Sequence, residues 1–251
     1  MKQAVGKSVK PKSTGIWYRV IVGILHPIMT LLTKRDWRGG KQLQNYQGVV
    51  VAMNHLSWFD PFASGHFVHD HGRQVRFLAK AEVFKLPGIG HILKSAGQIP
   101  VKRQDSEAAA GSLRVAMEAV RRGECIVIYP EGTLTRDPDM WPMSAKTGAA
   151  RIALTTGAPV IPAAQWGPQA VLAPYGKVFK FFPRKTMHIW AGPPVDLEDL
   201  RNQPITAATL REATDRIMRD ITNLLGQQRG LTPPDKPMPR NAVPPRKPAS
   251  A

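Results

Sequence analysis

Apolar residues along the chain fall into two kinds of run. Val49-Val50-Val51-Ala52-Met53 and Cys125-Ile126-Val127-Ile128-Tyr129 are short, unbroken and rich in β-branched residues. That is the pattern of strands buried on both faces. Arg76–Ala79, Ile99–Val101, Val160–Ala164 and Thr186–Ala191 read as further strands. Between them the apolar period lengthens. Residues 106–122 put Leu113, Met117 and Val120 on one helical face and stop at Gly123. A helix is expected from Asp60-Pro61 toward His69, since proline suits a first helical turn. Others are expected over Ile89–Lys94, ending near Gly97, over Lys146–Thr155, stopped by Gly157, and over 207–225. Strands alternating with helices predict an α/β domain with a mostly parallel central sheet flanked by helices. Such sheets gather ligands beyond the carboxyl ends of their strands.

The two ends depart from this alternation. Lys2, Lys7, Lys10 and Lys12 precede the apolar run Ile16–Leu25, which contains Arg19 and is followed by His26-Pro27. Crossing a bilayer takes about 20 apolar residues, and an arginine at its centre costs roughly 2.5–3.5 kcal/mol. No small-residue cleavage site follows, which argues against a signal peptide. The expectation is an amphipathic helix lying in the interface, with Trp17 and Tyr18 at headgroup depth. After residue 229 the chain turns rich in proline and basic residues, the composition of a disordered tail. The division expected is therefore 1–38 as basic N-terminus and membrane-associating helix, 39–229 as the catalytic domain, and 230–251 as tail.

Charge sharpens the picture. The net charge is +17 over 251 residues, which calls for a polyanionic partner. No helix-turn-helix, zinc-finger or aromatic RNA-binding signature accompanies it, and the densest basic stretches are the two ends. An anionic membrane surface and a phosphorylated substrate therefore stand ahead of nucleic acid. The lone Cys125 excludes an intrachain disulfide and fits a reducing compartment.

Asn54-His55-Leu56-Ser57-Trp58-Phe59-Asp60 leaves the first buried strand, and Glu131-Gly132-Thr133 leaves the second. Both turns should emerge from one sheet edge. A histidine takes a proton from a hydroxyl well only when its other ring nitrogen is held, and Asp60 is placed to hold His55. No G-x-S-x-G elbow exists, so the pair implies direct attack by an acceptor hydroxyl on an activated acyl group. Lys80, Lys102, Arg103, Arg136 and Lys146 lie near predicted strand ends or turns and are candidates to hold a phosphate. A second reading takes His66, His69 and His71, with Asp60 or Asp70, as metal ligands of a hydrolase. A helix turns residue 71 away from 66 and 69, and a second ligand cluster is missing, so no metal and no cofactor are expected.

Four ordered blocks resemble a known family. They are Asn54-His55 with Asp60, Gly97-Gln98-Ile99-Pro100-Val101-Lys102-Arg103, Tyr129-Pro130-Glu131-Gly132-Thr133, and Val160-Ile161-Pro162, with Lys146-x-Gly148 between the last two. In order and spacing they are similar to the glycerolipid acyltransferases, specifically the 1-acylglycerol-3-phosphate O-acyltransferases, over roughly residues 15–225. The resemblance implies transfer of a fatty acyl group from acyl-CoA or acyl-carrier protein to lysophosphatidate, on the cytoplasmic face of the cell membrane. It implies His55 as base and Asp60 as its orienter. It gives Arg103 and Lys102 the acceptor phosphate, and Asn54, Glu131, Gly132 and Thr133 the acceptor site. One departure is that Leu134-Thr135 separates Glu131-Gly132-Thr133 from Arg136, where the family often has arginine directly. Glycerol 3-phosphate, a lysophospholipid without a free phosphate, or a glycolipid remain open as acceptors.

Overall fold

The computed structural model describes residues 15–102 and 106–242. Among these residues seven strands form one sheet in the order β1-β7-β6-β2-β5-β3-β4. They are β1 (Thr33–Arg38), β2 (Val49–Met53), β3 (Val75–Lys80), β4 (Ile99–Val101), β5 (Cys125–Ile128), β6 (Val160–Trp166) and β7 (Lys185–Ala191). The five from β6 to β4 run parallel, while β7 is antiparallel to β6 and β1 follows β7. The mostly parallel sheet expected from the alternation is therefore present.

The unbroken apolar runs are explained by the layers on each face. Successive strand residues point to opposite sides. Val50, Ala52, Ile126, Ile128 and Val160 pack under α4 (Ser106–Arg121), α5 (Gly148–Thr156) and α8 (Ala207–Arg229). Val49, Val51, Met53, Val127 and Ile161 pack on the other face, with Phe67 of α2 (Asp60–Asp70), Tyr18 and Met29 of α1 (Ile16–Leu32) and Val171 of α6 (Pro168–Val171). With both faces covered, β2 and β5 are apolar throughout, and the buried Gln165 of β6 is hydrogen-bonded to Asn54. The other α-helices among the described residues are α3 (Ile89–Ser95) and α7 (Glu198–Arg201).

The ends differ from expectation. α1 does not stop at His26-Pro27 but continues through Pro27 to Leu32. Among the described residues no helix is long and apolar enough to cross a membrane. Residues 33–38, assigned from the sequence to the N-terminal segment, form the edge strand β1 paired with β7. Its sequence Thr-Lys-Arg-Asp-Trp-Arg is polar because an edge strand meets water, so it lacks the signal that marks β2. Residues 231–242 carry no helix or strand, yet Ser144 N–H donates to Met238 O and Arg240 N–H donates to Ser144 Oγ. Residues 243–251 lie outside the described residues, as do 1–14 with their four lysines.

One arginine ties the amino ends of the two central strands. The Arg73 guanidinium donates to the carbonyls of Leu43, Tyr46 and Gln47, just before β2, and of Gly123, just before β5. Hydrogen bonds from a charged donor contribute more than neutral ones, and removing the donor strands every acceptor at once. Arg73→Ala should therefore lower unfolding free energy by about 3 kcal/mol, read from the midpoint of a urea titration. An unchanged midpoint would show that the loops hold without it.

Candidate active site

β2 and β5 lie side by side, with Ala52 opposite Ile128. Three residues further along each chain come His55 and Glu131, so the register alone brings the two turns together at the carboxyl edge. The loop after β2 curls back within one helical turn. Asp60, the first residue of α2, accepts on Oδ2 from His55 Nδ1 at 2.7 Å and from the Leu56 and Ser57 N–H groups at 2.6 and 3.0 Å. Burial pushes the Asp60 carboxyl up, and these N–H donors pull it back toward the charged form. With Nδ1–H donated to Asp60, the imidazole presents the Nε2 lone pair as its basic site. The geometry expected of the His55–Asp60 pair is thus formed.

The ring is supported on one flat side as well. Tyr129, the last residue before the second turn, stacks on His55 with ring centroids 4.2 Å apart and planes 10° from parallel. The Tyr129 hydroxyl meets Ser64 Oγ at 2.8 Å, and burial keeps that phenol protonated. Trp58 stands edge-on to His55. The Ser57 hydroxyl is committed elsewhere, donating to Leu172 O and accepting from Phe59 N–H. Cys125 is buried inside β5 with its thiol pushed up to about 12 by burial. Neither side chain is poised as a nucleophile.

Two residues expected at the acceptor site prove to be internal struts. Glu131 is 0% exposed, and its two oxygens accept from His55 N–H at 2.9 Å and Met143 N–H at 3.0 Å. Burial raises its carboxyl to about 8 against the pull of those donors. Asn54 is also fully buried. It exchanges three hydrogen bonds with Gln165 of β6: Asn54 Nδ2 donates to Gln165 O, Gln165 N–H donates to Asn54 Oδ1, and Gln165 Nε2 donates to Asn54 O. Neither side chain has an atom left at the surface for a substrate. Their polarity is the same whether they face a ligand or the backbone, and the sequence shows only the polarity.

The turn itself faces outward more. Gly132 adopts φ +69°, which a side chain would strain, and Lys146 lies against it, with carbons 3.5 and 3.6 Å from where a Cβ would stand. Thr133 is half-buried, Arg136 is exposed, and Leu134 is fully buried between them. Thr135 N–H donates to His55 O at 2.8 Å, so both backbone polar groups of His55 are held by residues 131–135. Lys80 ends β3 and Lys102 follows β4, two parallel strands of the same edge, and both are exposed. Arg103 lies outside the described residues.

A further support went unread in the sequence. The Arg229 guanidinium at the end of α8 sits between Trp141 and Trp166, 4.5 and 4.4 Å from their rings. Trp141 O accepts from Thr135 Oγ1, and Met143 two residues on donates to Glu131. Arg229 lies 88 and 63 positions from the two tryptophans, so no local pattern could pair them. The histidines considered as metal ligands take other partners. His71 Nδ1 bonds Phe67 O, while His66 and Asp70 face His26 of α1, their ligand atoms within 4.8 Å. Arg35 also pairs with Asp70, and burial holds His66 down to about 4, in its neutral form; these side chains join α1 to α2.

If Glu131 seats the turn rather than the substrate, Glu131→Gln should lower kcat at least about tenfold and leave both KM values within about twofold. The amide can accept from one N–H but opposes the other with its own NH₂. A rise confined to the acceptor KM would return Glu131 to the binding role. Tyr129→Phe should keep the stack and most turnover, whereas Tyr129→Leu should lose about tenfold in kcat; equal losses in both would assign the effect to the hydroxyl.

Comparison with known proteins agrees with this arrangement. The family model described as Acyltransferase matches residues 34–166. A 1-acyl-sn-glycerol-3-phosphate acyltransferase of Bacillus subtilis is 28% identical over 84% of this chain and 99% of its own length. A chloroplastic 1-acyl-sn-glycerol-3-phosphate acyltransferase of Brassica napus is 34% identical over 45% of this chain and 31% of its own length. The crystal structure of the 1-acyl-sn-glycerophosphate acyltransferase of Thermotoga maritima superposes with a TM-score of 0.62 at 25% identity, covering 82% of this chain and 79% of that one. The family match runs from β1 to the end of β6, across the strands that carry His55, Asp60 and Glu131, and spans more than half of the 251 residues: the chain belongs to the Acyltransferase family.

Proposed function

We propose that this acyltransferase moves a fatty acyl group from a thioester donor, acyl-CoA or acyl-carrier protein, to the free hydroxyl of 1-acylglycerol 3-phosphate, giving phosphatidate. The observation that carries this reading is His55, held by Asp60 at 2.7 Å, with no hydrogen bond to Nε2 among the described residues, the nearby Ser57 hydroxyl engaged with Leu172, and Cys125 buried at the opposite, amino end of β5. The relatives named above, one aligned over almost its whole length, support the choice of acceptor.

The chemistry follows from that geometry. Nε2 takes the acceptor hydroxyl proton as the oxygen attacks the thioester carbonyl carbon. Asp60 stabilises the imidazolium that forms. The carbon–sulfur bond then breaks, and the thiolate leaves with the proton returned from Nε2. Lys80 and Lys102, at the ends of adjacent parallel strands, together with Arg103, supply cations for the acceptor phosphate. Lys146 and Arg136 lie on the other turn. The enzyme works as a peripheral protein on the cytoplasmic face of the membrane. α1 supports this placement, since Trp17, Val20, Ile24, Ile28 and Leu31 recur at helical spacing and are exposed.

A panel of acceptors with one acyl-CoA tests the assignment. Lysophosphatidate should exceed glycerol 3-phosphate, lysophosphatidylcholine and a glycolipid in kcat/KM; preference for any of these would reassign the acceptor. His55→Ala should lose on the order of 10²–10⁴ in kcat while keeping the fold. Intact-mass spectrometry after incubation with acyl-CoA alone should show no acyl adduct, and a stoichiometric adduct would replace direct attack with a covalent scheme. Arg103→Ala should raise the KM for lysophosphatidate about ten- to a hundredfold, and that for acyl-CoA much less. An effect on acyl-CoA alone would give Arg103 to the donor phosphates.

A further inference from the structure

Residues 173–184, Ala-Pro-Tyr-Gly-Lys-Val-Phe-Lys-Phe-Phe-Pro-Arg, connect α6 to β7. Phe182 is 77% exposed, the most of any large apolar residue described, and Val178, Tyr175 and Phe179 are 70, 53 and 52% exposed. Single exposed apolar residues are ordinary; four within eight positions mark a contact surface. Lys177, Lys180, Arg184 and Lys185 are interleaved with them, and the sequence holds no aspartate or glutamate from Gly167 to Val195. Aromatic and basic side chains mixed in this way suit the boundary of an anionic bilayer, where rings enter the acyl region and cations meet phosphates.

The loop is a built element. Lys180 N–H donates to Val171 O at 2.7 Å, Leu172 bridges to Phe179, and Gly176 N–H closes a turn on Ala173 O. One flank borders the catalytic turn. Tyr175 donates to Leu134 O at 3.2 Å and lies edge-on to Trp58, which is edge-on to His55. Phe179 and Phe181 both meet Phe59, one residue before Asp60. The other flank joins α1, where Arg184 donates to the carbonyls of Thr30 and Thr33. The exposed stripe of α1 and the loop therefore belong to one connected face, and the catalytic turn lies at its edge.

We propose that residues 173–184 form a second membrane-inserting element, which sinks Val178, Phe179 and Phe182 into an anionic lipid leaflet beside His55. Together with α1 it fixes the tilt of the domain, so that a lipid acceptor reaches Nε2 without leaving the bilayer. The occupant is an anionic phospholipid membrane. The proposal rests on the lipid-acceptor reading above, and the test separates the two.

Cys125 is buried, so in the full-length chain Val178→Cys offers the one accessible thiol among the described residues for an environment-sensitive dye. Its emission should shift to the blue on equimolar phosphatidylcholine–phosphatidylglycerol vesicles. Val178→Ser with Phe182→Ser should weaken vesicle binding at least about tenfold and lower turnover of vesicle-borne lysophosphatidate in parallel. Turnover of a short-chain, fully dispersed lysophosphatidate should stay within about twofold, which also shows that the variant is folded. A dye that stays silent while the chain sediments with vesicles would overturn the proposal and leave binding to α1. So would unchanged vesicle binding by the double variant, or a dye that responds to acyl-carrier protein and not to vesicles. If dispersed lysophosphatidate is not a substrate of the unaltered chain, the acceptor assignment fails, and the dye alone decides whether the loop meets lipid.

Discussion

A buried carboxyl group whose oxygens meet no donor leaves polar atoms unpaired away from water, which costs free energy. Without donors Glu131 would carry that cost at the carboxyl edge of the sheet. Its donors are the backbone N–H groups of His55 and Met143, which come from different segments. Satisfying one side chain therefore locks the turn after β2 to the loop of residues 131–143. Thr135 closes the same joint from the other side by donating to His55 O. The imidazole is then left with its ring alone to place, and Asp60, Tyr129 and Trp58 hold it at one nitrogen, one face and one edge. The basicity of His55 is thus exercised from a backbone that has no freedom to drift.

What the sequence discloses follows from which physical demand each residue answers. β2 and β5 are legible because both faces are covered, which forces an unbroken apolar run. β1 is not, because Lys34, Arg35 and Asp36 serve an edge open to water. His55 and Asp60 are legible as a pair because only a few residues separate them and Pro61 marks a helix start at Asp60. Asn54 and Glu131 are visible as polar residues near the chemistry, but their direction is set by Gln165 and Met143, 111 and 12 positions away. Tyr129 reads from the sequence as the end of a strand; its stacking on His55 arises only when β2 and β5 pair. Lys102 lies just past β4, as its block implied, while the phosphate geometry is not a property of the sequence.

The two layers covering the sheet have different characters. On one side α4, α5 and α8 bury a continuous apolar core against Val50, Ile126 and Val160. On the other, α1, α2 and the segment 173–184 bury Tyr18, Phe59 and Val171 yet leave a series of apolar side chains in the open. His55 stands at the carboxyl edge of the sheet and is held by Asp60 of α2, which belongs to the second of these layers.

The cation of Arg229, held between Trp141 and Trp166, has a consequence for the order in which the site comes into being. A ribosome delivers His55, Asp60 and Glu131 long before it delivers α8, and domains gather their structure as the chain emerges. The loop that satisfies Glu131 through Met143 is braced by Trp141, and Trp141 has no cation to rest on until residue 229 has been made. The nascent chain therefore carries its base and its orienter for most of its synthesis without the brace that steadies them. Competence arrives with the last helix, so a truncated product of translation would hold the catalytic residues and lack their support.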